Sequence, residues 1–220
     1  MASVLRLYED TISGGVAAVH LPPLPRMIFV VHGALTTDGR TLGDGEAFGS
    51  EGAVTLKPGK DGVTCWRWDF FTDGTRGSAI CGPGIRSQEK LSAVLETIPK
   101  GELLIRGDSV GFPPGGCAFL HKHWGPGIRC VLDGGIRIDT QGHSTSYGPG
   151  SPWYETGADP VFAQAAADRP TRFIRVMILP RDLLGKSSFQ FVNEEDKAKP
   201  RVQQYKIFVD QPITPPAPNS

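Results

Sequence analysis

The chain has 220 residues, with 23 acidic and 23 basic residues and no cluster of basic ones. This neutral charge makes nucleic acid or an anionic membrane an unexpected main partner. The sequence contains 28 glycines and 19 prolines, and stretches with helical periodicity are scarce. This composition predicts an all-β protein with many turns, large enough for one domain or two small ones.

The cysteine pattern and the first residues predict a cytoplasmic protein. The four cysteines form no Cys-x2-Cys pair, which favours reduced thiols in an intracellular compartment. The segment 1–15 contains charged residues and no apolar core, so it does not have the pattern of a signal peptide. No apolar run approaches the length needed to span a bilayer.

Alternation of apolar and polar residues predicts strands along most of the chain. The segment 71–86 is rich in turn residues, and 87–98 is ambiguous between helix and strand; we interpret it as an extended connection. The predicted strands outside the central region are 3–8, 159–165, 171–179, 187–192 and 203–210. The segment 213–220 contains three prolines and predicts a disordered tail.

Two halves of the sequence repeat one pattern at a spacing near one hundred residues. The segment 10–33 is similar to 108–134 once 112–114 is skipped, and 65–68 corresponds to 173–176. This repeat predicts two copies of one β-module. In this register His20 corresponds to His121, but Pro22 stands where the second copy has His123, so the first copy is expected to lack a metal site.

The second copy contains His121-Lys122-His123 in a segment that has the pattern of a strand. Side chains alternate along a strand, so both rings are expected on one face, where they can bind one metal ion. Glycines at Gly134-Gly135 and Gly148-Pro149-Gly150 predict tight turns downstream.

This arrangement resembles the cupin superfamily, whose motif is G-x5-H-x-H-x3-4-E-x6-G followed by P-x-G-x2-H-x3-N. The motif's glutamate falls on Ile128 and its last histidine on Trp153, neither of which can bind a metal. The resemblance implies an all-β fold of two cupin-like modules, each a double-stranded β-helix or jelly roll. Such a bicupin has a degenerate N-terminal module at 1–80, a linker at 81–99, a second module at 100–190 and an extension at 191–220.

Glu155 lies two residues beyond Trp153 and faces the same way in an extended strand. With His121 and His123 it would form a 2-His-1-carboxylate site for one divalent ion, with Fe, Zn and Mn as the candidates. The resemblance then implies a dioxygenase or isomerase that acts on a small carbonyl or phenolic compound. The expected pocket residues are Phe119, Trp153 and Phe162. A homodimer is expected, because the strand-like segments 3–8 and 203–210 lie at the chain ends, where unpaired edges favour pairing with another chain, and because related proteins often form dimers.

Three alternatives remain open. Glu155 could pair with an arginine, for which the candidates are Arg129, Arg172 and Arg175, and the histidines could then be hydrogen-bonded residues of a metal-free barrel. Such a protein would be a non-catalytic small-molecule binder or sensor. A third hypothesis is a serine hydrolase, because Gly107-Asp108-Ser109-Val110-Gly111 fits G-x-S-x-G. The prolines and glycines that follow cannot begin the required helix, so we interpret this segment as a turn.

Overall fold

The computed structural model describes residues 2–72 and 79–214. This part of the chain is nearly all β, and its only helical segments are the 3-10 helices Arg181–Leu183 and Glu194–Ala198. No helix within the described residues is long and apolar enough to cross a membrane. The chain divides into unit 1, Met1–Glu96 with Ile213–Ser220, and unit 2, Thr97–Pro212.

Unit 1 contains one seven-stranded antiparallel sheet. Its central path is β4-β3-β6-β1-β7, with β2 paired to β6 and β5 paired to β3. The strands are β1 Ser3–Ile12, β2 Val19–Leu21, β3 Arg26–Thr37, β4 Arg40–Leu42, β5 Ala47–Ser50, β6 Val54–Thr72 and β7 Ile85–Leu95. Aliphatic side chains from β1, β2, β3 and β6 form its buried core.

Unit 2 contains two five-stranded antiparallel sheets, β13-β10-β15-β8-β17 and β12-β11-β14-β9-β16. The strands are β8 Leu103–Phe112, β9 Cys117–His123, β10 Gly127–Asp133, β11 Ile136–Thr140, β12 His143–Tyr147, β13 Pro152–Glu155, β14 Val161–Ala165, β15 Thr171–Pro180, β16 Phe189–Phe191 and β17 Gln204–Ile213. Apolar residues of both sheets meet in one core cluster. Gly134 makes the turn after β10 with a φ of 80°, and a Cβ there would lie 2.3 Å from a backbone oxygen.

The strand pairing repeats between the units, as the sequence predicts. β3 pairs with β6 with a register shift between Val30 and His32, and β10 pairs with β15 with a shift between Val131 and Asp133. Val30 and Val131 correspond in the sequence repeat, so the same irregularity occurs at the same place in both modules.

The first strands of the two modules follow a different register from the one predicted. Tyr8 is the partner of Arg67 and Asp108 is the partner of Arg175, so Tyr8 corresponds to Asp108 by strand pairing. The sequence comparison aligns Asp10 with Asp108, two residues away. An offset of two keeps the same face of the strand, so hydrophobic alternation does not distinguish the two registers.

Three further expectations differ from the structure or lie outside it. The predicted linker 81–99 contains β7, which pairs along the whole length of β1. The segment around Ser109 is strand β8 rather than a turn, and no helix follows it, so the nucleophile elbow of a serine hydrolase is absent from the described residues. Residues 215–220 of the predicted disordered tail lie outside the described residues.

Candidate functional site

The two histidines of β9 face the interior of unit 2, as strand alternation predicts. His121 and His123 are each 6% exposed, and their ring centroids lie 4.9 Å apart in an edge-to-face arrangement. Phe189 of β16 stacks on His121 with the ring centroids 4.3 Å apart. Position and orientation of both rings are therefore fixed by packing.

Both histidines are held in the neutral form. His121 donates from Nδ1 to the carbonyl oxygen of Phe119 at 2.8 Å, which leaves Nε2 without its proton. Burial lowers the pKa of His121 to about 4, against the opposing effect of Glu155. Burial also lowers the pKa of His123 well below its ordinary value, and the positive charge of Arg175 adds to this effect.

Glu155 reaches the same interior from β13, where it is paired with Gly127 of β10. Its Oε2 lies 2.7 Å from Nη2 of Arg129 and 3.9 Å from Nε2 of His123. Its Oε1 accepts a hydrogen bond from Nε1 of Trp153 at 2.8 Å. The structure therefore brings the three predicted metal ligands together, but Arg129 already pairs with the carboxylate, as the alternative interpretation expected.

Arg175 of β15 is the second buried arginine of this site. It donates from Nε and Nη2 to the two carboxylate oxygens of Asp108, at 2.9 and 2.7 Å. Its Nη1 lies 3.3 Å from Nε2 of His123 and, because a guanidinium only donates, the imidazole nitrogen is the acceptor. Burial alone would lower the pKa of Arg175, but Asp108 more than offsets this and the pKa is raised.

The pKa of Arg129 is shifted in the opposite direction, downward. Burial lowers its pKa to about 10; Glu155 opposes this shift and the nearby charge of Arg175 adds to it. At neutral pH both guanidiniums remain charged.

The interior around these residues is almost filled. The space between the histidines, the arginines and Glu155 amounts to about 20 Å³, enough for about one water molecule. The residues also do not fit a divalent ion: within 2–72 and 79–214, no group of three or more His, Cys, Asp or Glu is arranged to hold one. The physical reason is that Arg175 faces the lone pair of His123 and that Nη2 of Arg129 forms a 2.7 Å ion pair with Oε2 of Glu155, although the two atoms lack hydrogen-bond geometry.

A larger cavity, the outer cavity, is also lined by His123 and has a volume of about 270 Å³. Its walls come mainly from β9, β16, β17 and the segments between them. Its aromatic wall consists of Phe119, Phe189, Phe191 and Tyr205. The basic residues that line it are Arg106, Arg175, Lys186 and Arg201.

The other predicted site residues have different positions. Phe119 lines the outer cavity, whereas Trp153 lies in the filled interior. Phe162 lines neither, because its neighbours Val161 and Ala163 face the core and alternation turns it to the opposite face of β14. His143 is exposed.

Unit 1 has a buried charged group of its own. Arg67 donates from Nε to Asp10 at 2.6 Å and also pairs with Asp69, which accepts from Nε of Arg26 at 2.9 Å. His20 is exposed and bonds to Thr55. The predicted equivalence of His20 and His121 is therefore wrong, because His20 lies on the exposed face of its strand and His121 on the buried face. The interior of unit 1 therefore combines arginines and aspartates without a histidine among its described residues.

The sequence indicated Arg129 and Arg175 only as possible partners of Glu155, and the role of Asp108 was not predicted. A signal was present: Arg175 stands inside the apolar run Phe173-Ile174-Arg175-Val176-Met177 and recurs as Arg67 in the first copy. A charged residue in such a run, repeated in both modules, indicates a buried and paired group.

No protein-family model matches this chain, and no curated protein matches it in sequence. Solved structures do. Oxalate decarboxylase of Bacillus subtilis, a protein with Mn(II) centres, matches with a TM-score of 0.58 at 14% identity, over 89% of this chain and 73% of that one. AerE of Microcystis aeruginosa matches with a TM-score of 0.58 at 13% identity, over 82% and 89%. A cupin 2 conserved barrel domain protein of Leptotrichia buccalis has a TM-score of 0.48 at 13% identity, over 80% and 84%.

The chain therefore has the cupin fold, all-β and built from two modules, as the sequence motif predicted. The two matches with a TM-score of 0.58 carry this conclusion. At 13–14% identity they establish the fold alone, and the chemistry has to be argued from the site.

Proposed function

We propose that unit 2 binds a small organic anion with an aromatic or apolar body in the outer cavity, and that binding does not require a metal ion. This is the small-molecule-binding alternative of the sequence analysis. The observation that carries it is a cavity of about 270 Å³ that combines an aromatic wall with basic residues.

The size and the walls of the cavity favour a small, flat ligand. Binding pockets for drug-sized molecules begin at roughly 300 Å³, so this cavity suits a smaller compound. Phe189 and Phe191 meet edge-to-face with ring centroids 4.9 Å apart, which gives a rigid apolar surface for a ring to contact.

The charges around the cavity favour an anion. Two of its cations are neutralised, Arg175 by Asp108 and Arg106 by Asp210. Lys186 and Arg201 have no ion-pair partner among residues 2–72 and 79–214, and Arg201 lies over the ring of Phe191, 4.7 Å from its centroid. A carboxylate on the ligand would supply the missing negative charge.

Calorimetric titration with benzoate, and with neutral benzamide as its uncharged analogue, tests this proposal on the full chain in the presence of EDTA. We expect benzoate to bind at least about tenfold more tightly than benzamide, and Arg201→Gln to remove most of that difference. Lys57→Gln, on the surface of unit 1, is the matched control and should leave affinity unchanged. Equal affinity for the two compounds, or binding that EDTA abolishes, would contradict the proposal.

The metal-dependent dioxygenase or isomerase remains a prediction as a second candidate. Its support is the convergence of His121, His123 and Glu155, and it requires both arginines to leave their present partners. Anaerobic loading with Fe(II), followed by oxygen-consumption assays over dicarbonyls and catechols, separates it from the binding protein. Oxygen uptake that depends on His121 would favour the enzyme.

A further inference from the structure

The charged interior has the same composition in both units. In unit 2 it contains Arg129 and Arg175 with Asp108 and Glu155, and all four side chains are buried. In unit 1 the buried set is Arg26, Arg67, Asp10 and Asp69. Each of these sets joins two guanidinium groups and two carboxylates by ion pairs, and the third buried arginine of unit 2, Arg106, pairs separately with Asp210.

Charge neutrality follows from this composition. Two guanidiniums carry the same total charge as one divalent metal ion, and they balance two carboxylates. The neutral histidines of unit 2 add no charge. A divalent ion added to this interior would leave two uncompensated positive charges out of contact with water, which is strongly unfavourable.

The contacts agree with this charge argument. Nη1 of Arg175 lies 3.3 Å from Nε2 of His123, the lone pair that a metal ion would need. Nη2 of Arg129 lies 2.7 Å from Oε2 of Glu155, the oxygen nearest to His123. The guanidiniums therefore lie against two of the three atoms that would otherwise be metal ligands, Nε2 of His123 and Oε2 of Glu155.

We propose that paired arginines take the place of the divalent metal ion in the interior of unit 2. Wild-type protein then binds no divalent ion at His121, His123 and Glu155, and removing both guanidiniums of unit 2 uncovers a site for one ion. The proposal does not rest on the ligand of the outer cavity.

Titration with Co(II), followed by visible absorption, tests the proposal on the full chain without a polyhistidine tag. We expect no His121-dependent absorption in the wild type. The double variant Arg129→Met/Arg175→Met should bind one Co(II) at least about 100-fold more tightly, because Asp108 and Glu155 then lack countercharge. Adding His121→Ala to the double variant should remove the absorption.

Arg106→Met is the matched control. Arg106 is also buried in unit 2, but its guanidinium binds Asp210 and the carbonyl oxygens of Leu183 and Lys186. This variant should gain no Co(II) absorption, which separates an uncovered site from a general effect of removing a buried charge.

Two results would overturn the proposal. One is a wild-type protein that binds one Co(II) in a manner lost in His121→Ala. The other is a double variant that keeps the wild-type circular dichroism spectrum and binds no Co(II). If the double variant does not fold, the wild-type titration decides: a His121-dependent site refutes the proposal, and its absence supports it.

Discussion

Arg175 and Asp108 are direct partners across β15 and β8, and their side chains form two parallel hydrogen bonds of 2.9 and 2.7 Å. The pair is buried, and the third nitrogen of the guanidinium points to His123. It therefore links the sheet that contains β8 and β15 to the histidines of β9 in the other sheet. Breaking this pair is therefore expected to lower the stability of unit 2.

Asp108→Asn should destabilise unit 2 by about 3–5 kcal/mol, because it leaves the charge of Arg175 buried without its partner. The measurement is the free energy of unfolding from urea titration. Asp168→Asn, which removes an exposed carboxylate paired with Arg169, is the control and should leave the unfolding curve unchanged. Equal effects of the two substitutions would show that the buried pair does not stabilise the unit.

The stability of unit 2 should fall as the pH is lowered from the ordinary pKa of His121 toward its pKa in the folded chain. Its pKa is about 4 in the folded chain and ordinarily 6.5, so between these values the unfolded chain binds a proton that the folded chain does not. This linkage favours unfolding by about 2 kcal/mol between pH 7 and pH 5. His121→Phe, which retains the stacking on Phe189, should reduce the pH dependence by that amount in urea titrations at both pH values.

A direct check of the same shift is the titration of the His121 ring protons by NMR. We expect no change in their chemical shift between pH 7 and pH 5.5. A midpoint near 6.5 would contradict the burial of a neutral ring.

Trp153→Phe should destabilise unit 2 by about 1–3 kcal/mol, because Oε1 of the buried Glu155 loses its donor. Trp66→Phe is the matched control, since Trp66 donates in the same way to Glu9, whose side chain is 33% exposed. Water can replace that hydrogen bond, so the control should cost less in the same urea titration. A larger cost for the control would mean that ring volume, not the hydrogen bond, dominates.

Strand alternation was enough to predict much of the fold and part of the site. It predicted that His121 and His123 share a face, and both are buried on β9. The turn after β10 was also predictable, because Gly134 can adopt the positive φ that the turn requires. Strand β7 could not be predicted with the same certainty, because the spacing of Leu91 and Val94 fits a helix as well as a strand. Only the pairing of this segment with β1 decides between helix and strand.

The arginine pairs could not be deduced from spacing alone. Arg129 and Arg175 lie on different strands, and the β10–β15 pairing that makes them neighbours is a contact between distant parts of the sequence. Arg129 was predictable as a partner of Glu155, but nothing in the sequence favours it over Arg172, which pairs with Asp133 near the surface. The choice depends on which strand face turns inward.

The homodimer expected from sequence remains a prediction, and the sheets suggest where to test it. The segment 3–8 lies in β1, which is paired on both sides by β6 and β7, so it offers no free edge. Strand β17 is at the edge of its sheet, and its residues Tyr205 and Ile207 are 51% and 53% exposed. Exposed edges of this kind favour pairing with a second chain. Light scattering at micromolar concentration should give a dimer mass, and Ile207→Lys should shift it toward the monomer; a monomer mass for the wild type would contradict the prediction.

A crystal structure of the wild-type protein, grown with excess MnCl2 and measured at the manganese absorption edge, tests the central claim most directly. The account predicts that Arg175 lies beside Nε2 of His123, that Arg129 pairs with Glu155, and that no anomalous peak occurs between them. An anomalous peak coordinated by His121, His123 and Glu155, with the two guanidiniums displaced, would contradict it.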